Sequence, residues 1–288
     1  MATGSSTSSP SSLIKKEFHA GADNPDESQR EDLSSFIDIS RNRIRILKTD
    51  PGLKAVELTV FAFPRCSDDA RWSGQIAAFI GSGQFAEVTA QTEVNYSVCD
   101  ARISIIPRTI YSVEMKEQLF GFTHGTRPDA SILTQNLIDL DAIGLFAVPR
   151  KLETVLNGPV TSSFLAWVQQ NMKNANGMVA HLYIDEGEFA LAVGKERKLL
   201  FCNWFKVSSA EDVLYFLMAT LEGLKVLHTD VPVILSGEIG KHDTAHMLIC
   251  RYMPKVTFAK RPKTLNYAYS FNEVAAHRHP FVFRAACA

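Results

Sequence analysis

The sequence predicts an α/β protein made of two related halves that flank a cleft. Three observations lead there. Strand-type alternation and helix-type spacing take turns along the chain instead of segregating into separate regions. Each half opens with a three-stranded meander: "SSFIDISRNRIRILKTD" with "KAVELTVFAF" in the first, and "MVAHLYIDEGEFALAVGKERKLLFCNWFKV" in the second. Each meander is followed by a helix and then by further strand and helix units, the pattern of a duplicated subdomain. Because α/β domains hold ligands at the carboxyl ends of strands, the cleft between the copies is where a site is expected.

Residues 1–32 are Ser-rich, then acidic and polar ("ADNPDESQRED"), with too little apolar surface to offset the entropy of ordering them. They predict a disordered or loosely attached arm, or one that docks on a partner. Residues 33–176 form the expected first subdomain. Phe36 and Ile37, then Ile44 and Ile46, place a hairpin around "SRNR", and "KAVELTVFAF" supplies the third strand. Trp72, Ile76, Phe79 and Ile80 share one face of a helix in "DDARWSGQIAAFIGS". Strands are predicted at "FAEVTAQTEV" and "ARISIIP", and a helix at "RTIYSVEMKEQLFG". Beyond the polar "HGTRPDAS" come strands "ILTQNLIDL" and "IGLFAVP", a helix from Arg150, and the helix "SSFLAWVQQNMKNAN", with Gly177 as its C-cap.

Residues 177–288 form the expected second subdomain. Its three strands turn sharply at "EGE" and "GKERK". "SSAEDVLYFLMATLEGLKVL" is the clearest helix, with Ser208 or Ser209 as N-cap and Glu211 and Asp212 at the positive end of its dipole. The strand "VPVILS" and a helix starting near Asp243 follow.

With 288 residues and a 46% hydrophobic share, the chain can bury a core for one large domain or two modest ones. A formal net charge of -1, with both signs interspersed, offers no field to hold nucleic acid or an anionic membrane. Five cysteines without a CxxC pair fit buried thiols in a reducing compartment. No apolar run has signal-peptide or membrane-spanning length, so a cytoplasmic protein is expected.

Several residues bear on chemistry. Asp38 in "FIDIS" and Asp185 in "YIDEG" stand at equivalent places, at the end of the first strand of each half, just before the turn. Facing each other across a cleft, two carboxylates hold magnesium and orient phosphates; a strand-end Asp equally serves only to accept turn hydrogen bonds. "LSGEIGKHD" is not a P-loop, because its glycines are too close together and Lys241 precedes His242. Gly237 there either presents backbone to an adenine or ribose, or permits a tight strand-to-helix turn. In "HDTAH", His242 and His246 share a helix face, but neither the Glu of a zinc helix nor a third ligand is present, and "HRHP" (His277, His279) is as sparse, so no metal site is expected. No GxSxG elbow occurs, Cys202 has no base beside it, and Trp204 and Phe205 lack the basic flanks of a base-stacking platform. No catalytic nucleophile is assigned.

"LLFCNWFKVSSAEDVLYFLMATLEGL", "VILSGEIGKHD" and "HRHPFVF", with "VNYSVCDARISIIPRTIYS" and "IGLFAVPRKLETVL" in the first half, resemble the bacterial family labelled domain of unknown function 3822 from about Ser34 onward. That resemblance implies a duplicated actin-like ATPase fold, also called ribonuclease-H-like. It also implies roles: Asp38 would match the acidic residue of a first phosphate hairpin, Asp185 and Gly187 the second, and Gly237 the adenosine turn. The sequence departs from the pattern at all three parts. Ser40 replaces a hairpin glycine, Glu186 puts negative charge beside a phosphate position, and Glu238 follows Gly237 where a second glycine belongs. The expectation is a non-catalytic binding or scaffold protein with a protein partner and no resident cofactor; the alternative is a Mg-ATP-binding protein or weak ATPase.

Overall fold

The computed structural model describes residues 15–21, 33–90 and 92–287. The first half runs β1 (Lys15–Gly21), β2 (Leu33–Ile39), β3 (Arg43–Thr49), β4 (Lys54–Ala62), α1 (Asp69–Ile80), α2 (Gly83–Thr89) and β5 (Thr92–Val98). An inserted layer follows: β6 (Ile103–Pro107), α3 (Lys116–His124), β7 (Ala130–Leu137) and β8 (Ala142–Pro149). The short α4 (Arg150–Glu153), β9 (Val160–Ser162) and α5 (Ser163–Lys173) lead into the second half. That half contains β10 (Met178–Asp185), β11 (Glu188–Lys195), β12 (Lys198–Lys206), α6 (Ala210–Gly223), β13 (Val233–Gly237), α7 (Thr244–Tyr252) and β14 (Val256–Phe258). The chain ends in β15 (Asn266–Tyr267) and α8 (Pro280–Ala285).

Topology makes the duplication explicit. The first sheet has the order β1-β4-β3-β2-β5-β9 and the second β12-β11-β10-β13-β14. In both, an antiparallel meander is extended by two parallel strands. The match reaches individual residues. Counting from Arg43 opposite Ala62, and from Glu188 opposite Lys206, each ladder runs six pairs before one residue bulges out of the outer strand. Ser97 Oγ donates to Ile37 O as Ser236 Oγ does to Leu182 O. The Cys99 amide donates to Ile39 O, and the Glu238 amide to Ile184 O, each at 2.8 Å.

Helix α5 lies between the halves and packs closely over two glycines. A Cβ on Gly144 of β8 would sit 2.4 Å from Leu165, and one on Gly194 of β11 would sit 2.3 Å from Met172. Phe164 and Trp167 of α5, Phe281 of α8, Tyr183 and Trp204 form one aromatic cluster, with Tyr183 and Phe281 ring centroids 4.3 Å apart. It fixes the second sheet against the first subdomain.

Four expectations need correction. "FAEVT" is helical, because Ser82 caps Phe85 N and Phe85 docks its ring 5.7 Å from that of Phe79, overriding the strand preference of Val88 and Thr89. The helix expected at "RTIYSVEMKEQLFG" is broken by extended backbone at Tyr111 and Ser112, which turns Tyr111 onto the core of the inserted layer. α5 is capped at Asn174, not Gly177. The proposed boundaries also shift: Lys15–Gly21 of the expected arm is a strand on β4, and β15 and α8 return to the first sheet, where Leu265, Phe271, Val282 and Phe283 are buried. The rest of the arm lies outside the described residues.

Candidate functional site

The two hairpins, β2–β3 and β10–β11, meet where the halves face each other. Asp38 is fully buried beneath the first. Its carboxylate accepts from Arg45 Nη1 at 3.1 Å, from Ser163 Oγ at 2.6 Å and from Ser97 Oγ at 3.5 Å. Burial pushes this carboxyl above its ordinary range, against the opposing pull of Arg45 and the two hydroxyls. Arg45, itself 1% exposed, also donates to Ser40 Oγ at 3.2 Å and to His279 Nδ1 at 3.3 Å.

Asp185 closes the second hairpin and reaches across to the first. Arg43 Nη1 donates to its two oxygens at 3.1 and 3.2 Å, the Tyr183 hydroxyl at 3.0 Å and the Glu186 amide at 2.8 Å. Arg43 simultaneously holds Glu17 of β1 at 2.9 Å. From the first half, Arg65 donates to Glu186 O and pairs with Glu188. Gly187, at φ +70°, supplies the positive-φ turn between β10 and β11.

Asp38 and Asp185 are not equivalent. The matched hydrogen bonds set Ile37 against Leu182 and Ile39 against Ile184, so Asp38 corresponds to Tyr183 and Ser40 to Asp185. The first-half carboxylate sits two residues earlier, on a strand position that points into the protein.

A cavity of about 1260 Å³ opens beside the hairpins, lined by both halves. Asp185 and Gly187 form part of its wall, whereas Asp38 and Gly237 do not. Gly237 has φ +101°, and a Cβ there would lie 2.2 Å from Ile184 O. The end of β13 approaches β10 so closely that only glycine fits, which explains the residue by packing. Opposite the second hairpin, Arg41 pairs with Asp69 (2.8 Å) and Asp100 (2.7 Å), and Arg102 with the same two carboxylates (2.6 and 2.8 Å). Against the upward pull of burial, Arg102 and Arg41 hold the Asp100 carboxyl well below its usual range. The Arg41 guanidinium also lies 4.3 Å over the Trp72 ring, and Trp72 Nε1 donates to Ser40 O, tying α1 to the first hairpin tip. Arg150, Lys151 and Lys206 reach the cavity without an ion-pair partner among the described residues.

Sequence reasoning missed the arginines. A signal was present: "SRNRIR" carries three at one hairpin, and "DEGE" three carboxylates at the other. The expectation of no metal site concerned "HDTAH" and "HRHP". Among the described residues no group of three His, Cys, Asp or Glu side chains is placed to hold an ion. His246 stacks on Phe258 at 5.1 Å, and His277 Nε2 lies 2.7 Å from Ile239 O. All five cysteines are unpaired thiols; burial pushes that of Cys202 up to about 12. No helix among the described residues is long and apolar enough to cross a membrane.

The family profile described as "Protein of unknown function (DUF3822)" matches residues 21–256. A comparison with curated proteins found no significant match. Among solved structures, a Bacteroides thetaiotaomicron protein with an actin-like ATPase fold and unknown function is similar with TM-score 0.70 at 15% identity, over 82% of this chain and 94% of that one. The PilM-PilN type IV pilus biogenesis complex is similar with TM-score 0.60 at 11% identity, over 89% of this chain and 98% of that one. The actin-like fold implied by the sequence resemblance is thereby borne out.

Proposed function

We propose, from the premise that this chain belongs to the DUF3822 family and has an actin-like ATPase fold, that it acts by binding a protein partner without hydrolysing a nucleotide. The observation that carries this reading is the ion pair between Arg43 and Asp185. Magnesium at the second hairpin would have to take Asp185 from a guanidinium, a hydroxyl and an amide that already saturate it. Asp38 is in a similar position, buried against Arg45 with two hydroxyls on its other oxygen. The hairpins are thus joined to each other where a nucleotide-binding relative would present them to phosphate. One similar structure is itself a complex, of PilM with PilN, which supports a partner for this fold while leaving its identity open, since fold alone does not fix function. Five unpaired thiols support action in a reducing compartment, the cytoplasm.

The second reading, a Mg-ATP-binding protein or weak ATPase, draws on the size of the cavity and on Arg150, Lys151 and Lys206 at its wall. Thermal unfolding of the full chain separates the two. The expected result is no upward shift with millimolar Mg-ATP. Stabilisation on the order of 2.7 kcal/mol, the value for a hundredfold excess over Kd, would overturn the binding-only reading. Its loss in Asp185→Asn would then assign the second hairpin to the nucleotide.

A further inference from the structure

The two sheets match strand for strand until their outer edges. In the first, the outer edge of β4 is covered along its length: β1 pairs antiparallel from Ala62 to Glu57, and β15 pairs at Lys54 and Ala55. The equivalent strand β12, also nine residues long, pairs only with β11 among the described strands. An uncovered edge of that length presents a row of unpaired amides and carbonyls, the template to which another strand adds.

The direction of those groups follows from the ladder. The Val207 amide bonds inward to Gly187 O. Antiparallel alternation then points the N–H and C=O of Lys206, Trp204 and Cys202 outward. The Trp204 amide agrees: its partner is the side-chain oxygen of its own neighbour, Asn203, at 2.9 Å. Leu200, extruded by the bulge, is 43% exposed and adds an apolar contact on the same strand.

The charges on this edge select what can pair with it. Exposed lysines stand at both ends, Lys198 and Lys206. If two copies paired antiparallel about Cys202, the Lys198 end of each strand would lie beside the Lys206 end of the other, and bringing like charges together across a ladder is unfavourable. A second copy is therefore disfavoured, and a strand with carboxylates at its ends is favoured.

We propose that the outer edge of β12 is a strand-addition site for an extended segment of a partner protein, apolar in its centre and acidic at both ends. It pairs antiparallel, as β1 does on β4. This deepens the binding role proposed above and rests on it. The nucleotide test reads the cavity and the strand test reads β12, so either can fail alone.

The test uses the full chain and a nine-residue synthetic peptide with glutamates at both ends and alternating valine and threonine between them. Hydrogen exchange should show new protection at the Cys202, Trp204 and Lys206 amides, and a lysine-ended peptide should give none. The double variant Lys198→Glu/Lys206→Glu, at exposed positions, should remain folded, with a slightly lower urea midpoint because position 206 lies opposite Glu188, and weaken acidic-peptide binding about tenfold or more. Asn203→Val, which releases the Trp204 amide, should tighten it. Absence of protection on β12 at millimolar peptide, or binding indifferent to the charge reversal, overturns the proposal. So does a concentration-dependent dimer that buries the same amides.

Discussion

Replacing Asp38 with alanine should remove about 3–5 kcal/mol of unfolding free energy, because it leaves Arg45 as a buried cation without its counter-charge. Asp38 is fully buried and Arg45 is 1% exposed, so water cannot take over. What Arg45 would keep is one hydroxyl, Ser40, and one ring nitrogen, His279, neither of which carries compensating charge, since burial and the neighbouring arginines hold the His279 ring well below its ordinary pKa. Ser163 and Ser97 would lose their acceptor in the same change. For a chain this long the unfolding entropy is about 0.6 kcal/mol/K, so Tm should fall by about 5–8 °C. Urea unfolding followed by far-UV circular dichroism gives the free energy directly. Asp38→Val combined with Arg45→Met should recover much of the loss, because an apolar pair often replaces a buried ion pair at little cost. A carboxylate kept for a ligand behaves differently: its removal is commonly neutral or stabilising. Asp38→Ala within about 1 kcal/mol of the parent chain, with no recovery in the double variant, would refute the structural role assigned to this residue.

Ser209→Ala removes the hydroxyl of the Ser209–Asp212 capping box on α6, and should cost about 1 kcal/mol in the same urea assay; an unchanged midpoint would mean that the cap contributes nothing here. Gly237→Ala should cost at least about 2 kcal/mol with no nucleotide present, since it combines an unfavourable φ with a clash against Ile184 O; a neutral effect would reopen a ligand-based explanation for the glycine. Burial, helped by Arg284, pushes the His181 pKa down to about 3 from an ordinary 6.5. Between those values acid protonates the unfolded chain but not the folded one. Its contribution is therefore complete above pH 6.5 and is lost as pH falls, at about 1.4 kcal/mol per unit. His181→Leu should shrink the loss of stability between pH 6.5 and 5 by about 2 kcal/mol, and an identical pH profile would refute it.

What was legible in the sequence was whatever depends on neighbours along the chain. The hairpins around "SRNR" and "EGE" follow from alternation and turn chemistry, and α6 from its cap and apolar face. "FAEVT" was misread because its β-branched residues favour a strand, while Ser82 and the docking of Phe85 decide for a helix. The return of β15 and α8 to the first sheet depends on contacts more than two hundred residues apart, which no local pattern encodes. At the site, Asp185 lines the cavity and Asp38 does not, because "FIDIS" and "YIDEG" are alike in sequence but offset by two residues in the fold. Register is fixed by buried hydrogen bonds, and these set Asp38 against Tyr183.

That two-residue offset explains why the hairpins face each other as they do. With the carboxylate at position 38, Ser40 occupies the place that Asp185 holds in the second half, and it receives Arg45. The position matching Glu188 is Arg43, free to cross the gap and take Asp185. Two copies of one framework have thus become complementary, basic at the first hairpin and acidic at the second, where like-charged hairpins would repel unless a ligand bridged them. The outer edges differ in a corresponding way: among the described residues, β4 is closed by the chain's own strands, while β12 pairs only with β11 and carries lysines at its ends. Ion pairs join the halves of this cleft directly, and on the reading proposed above the edge of β12 is the place to look for a partner.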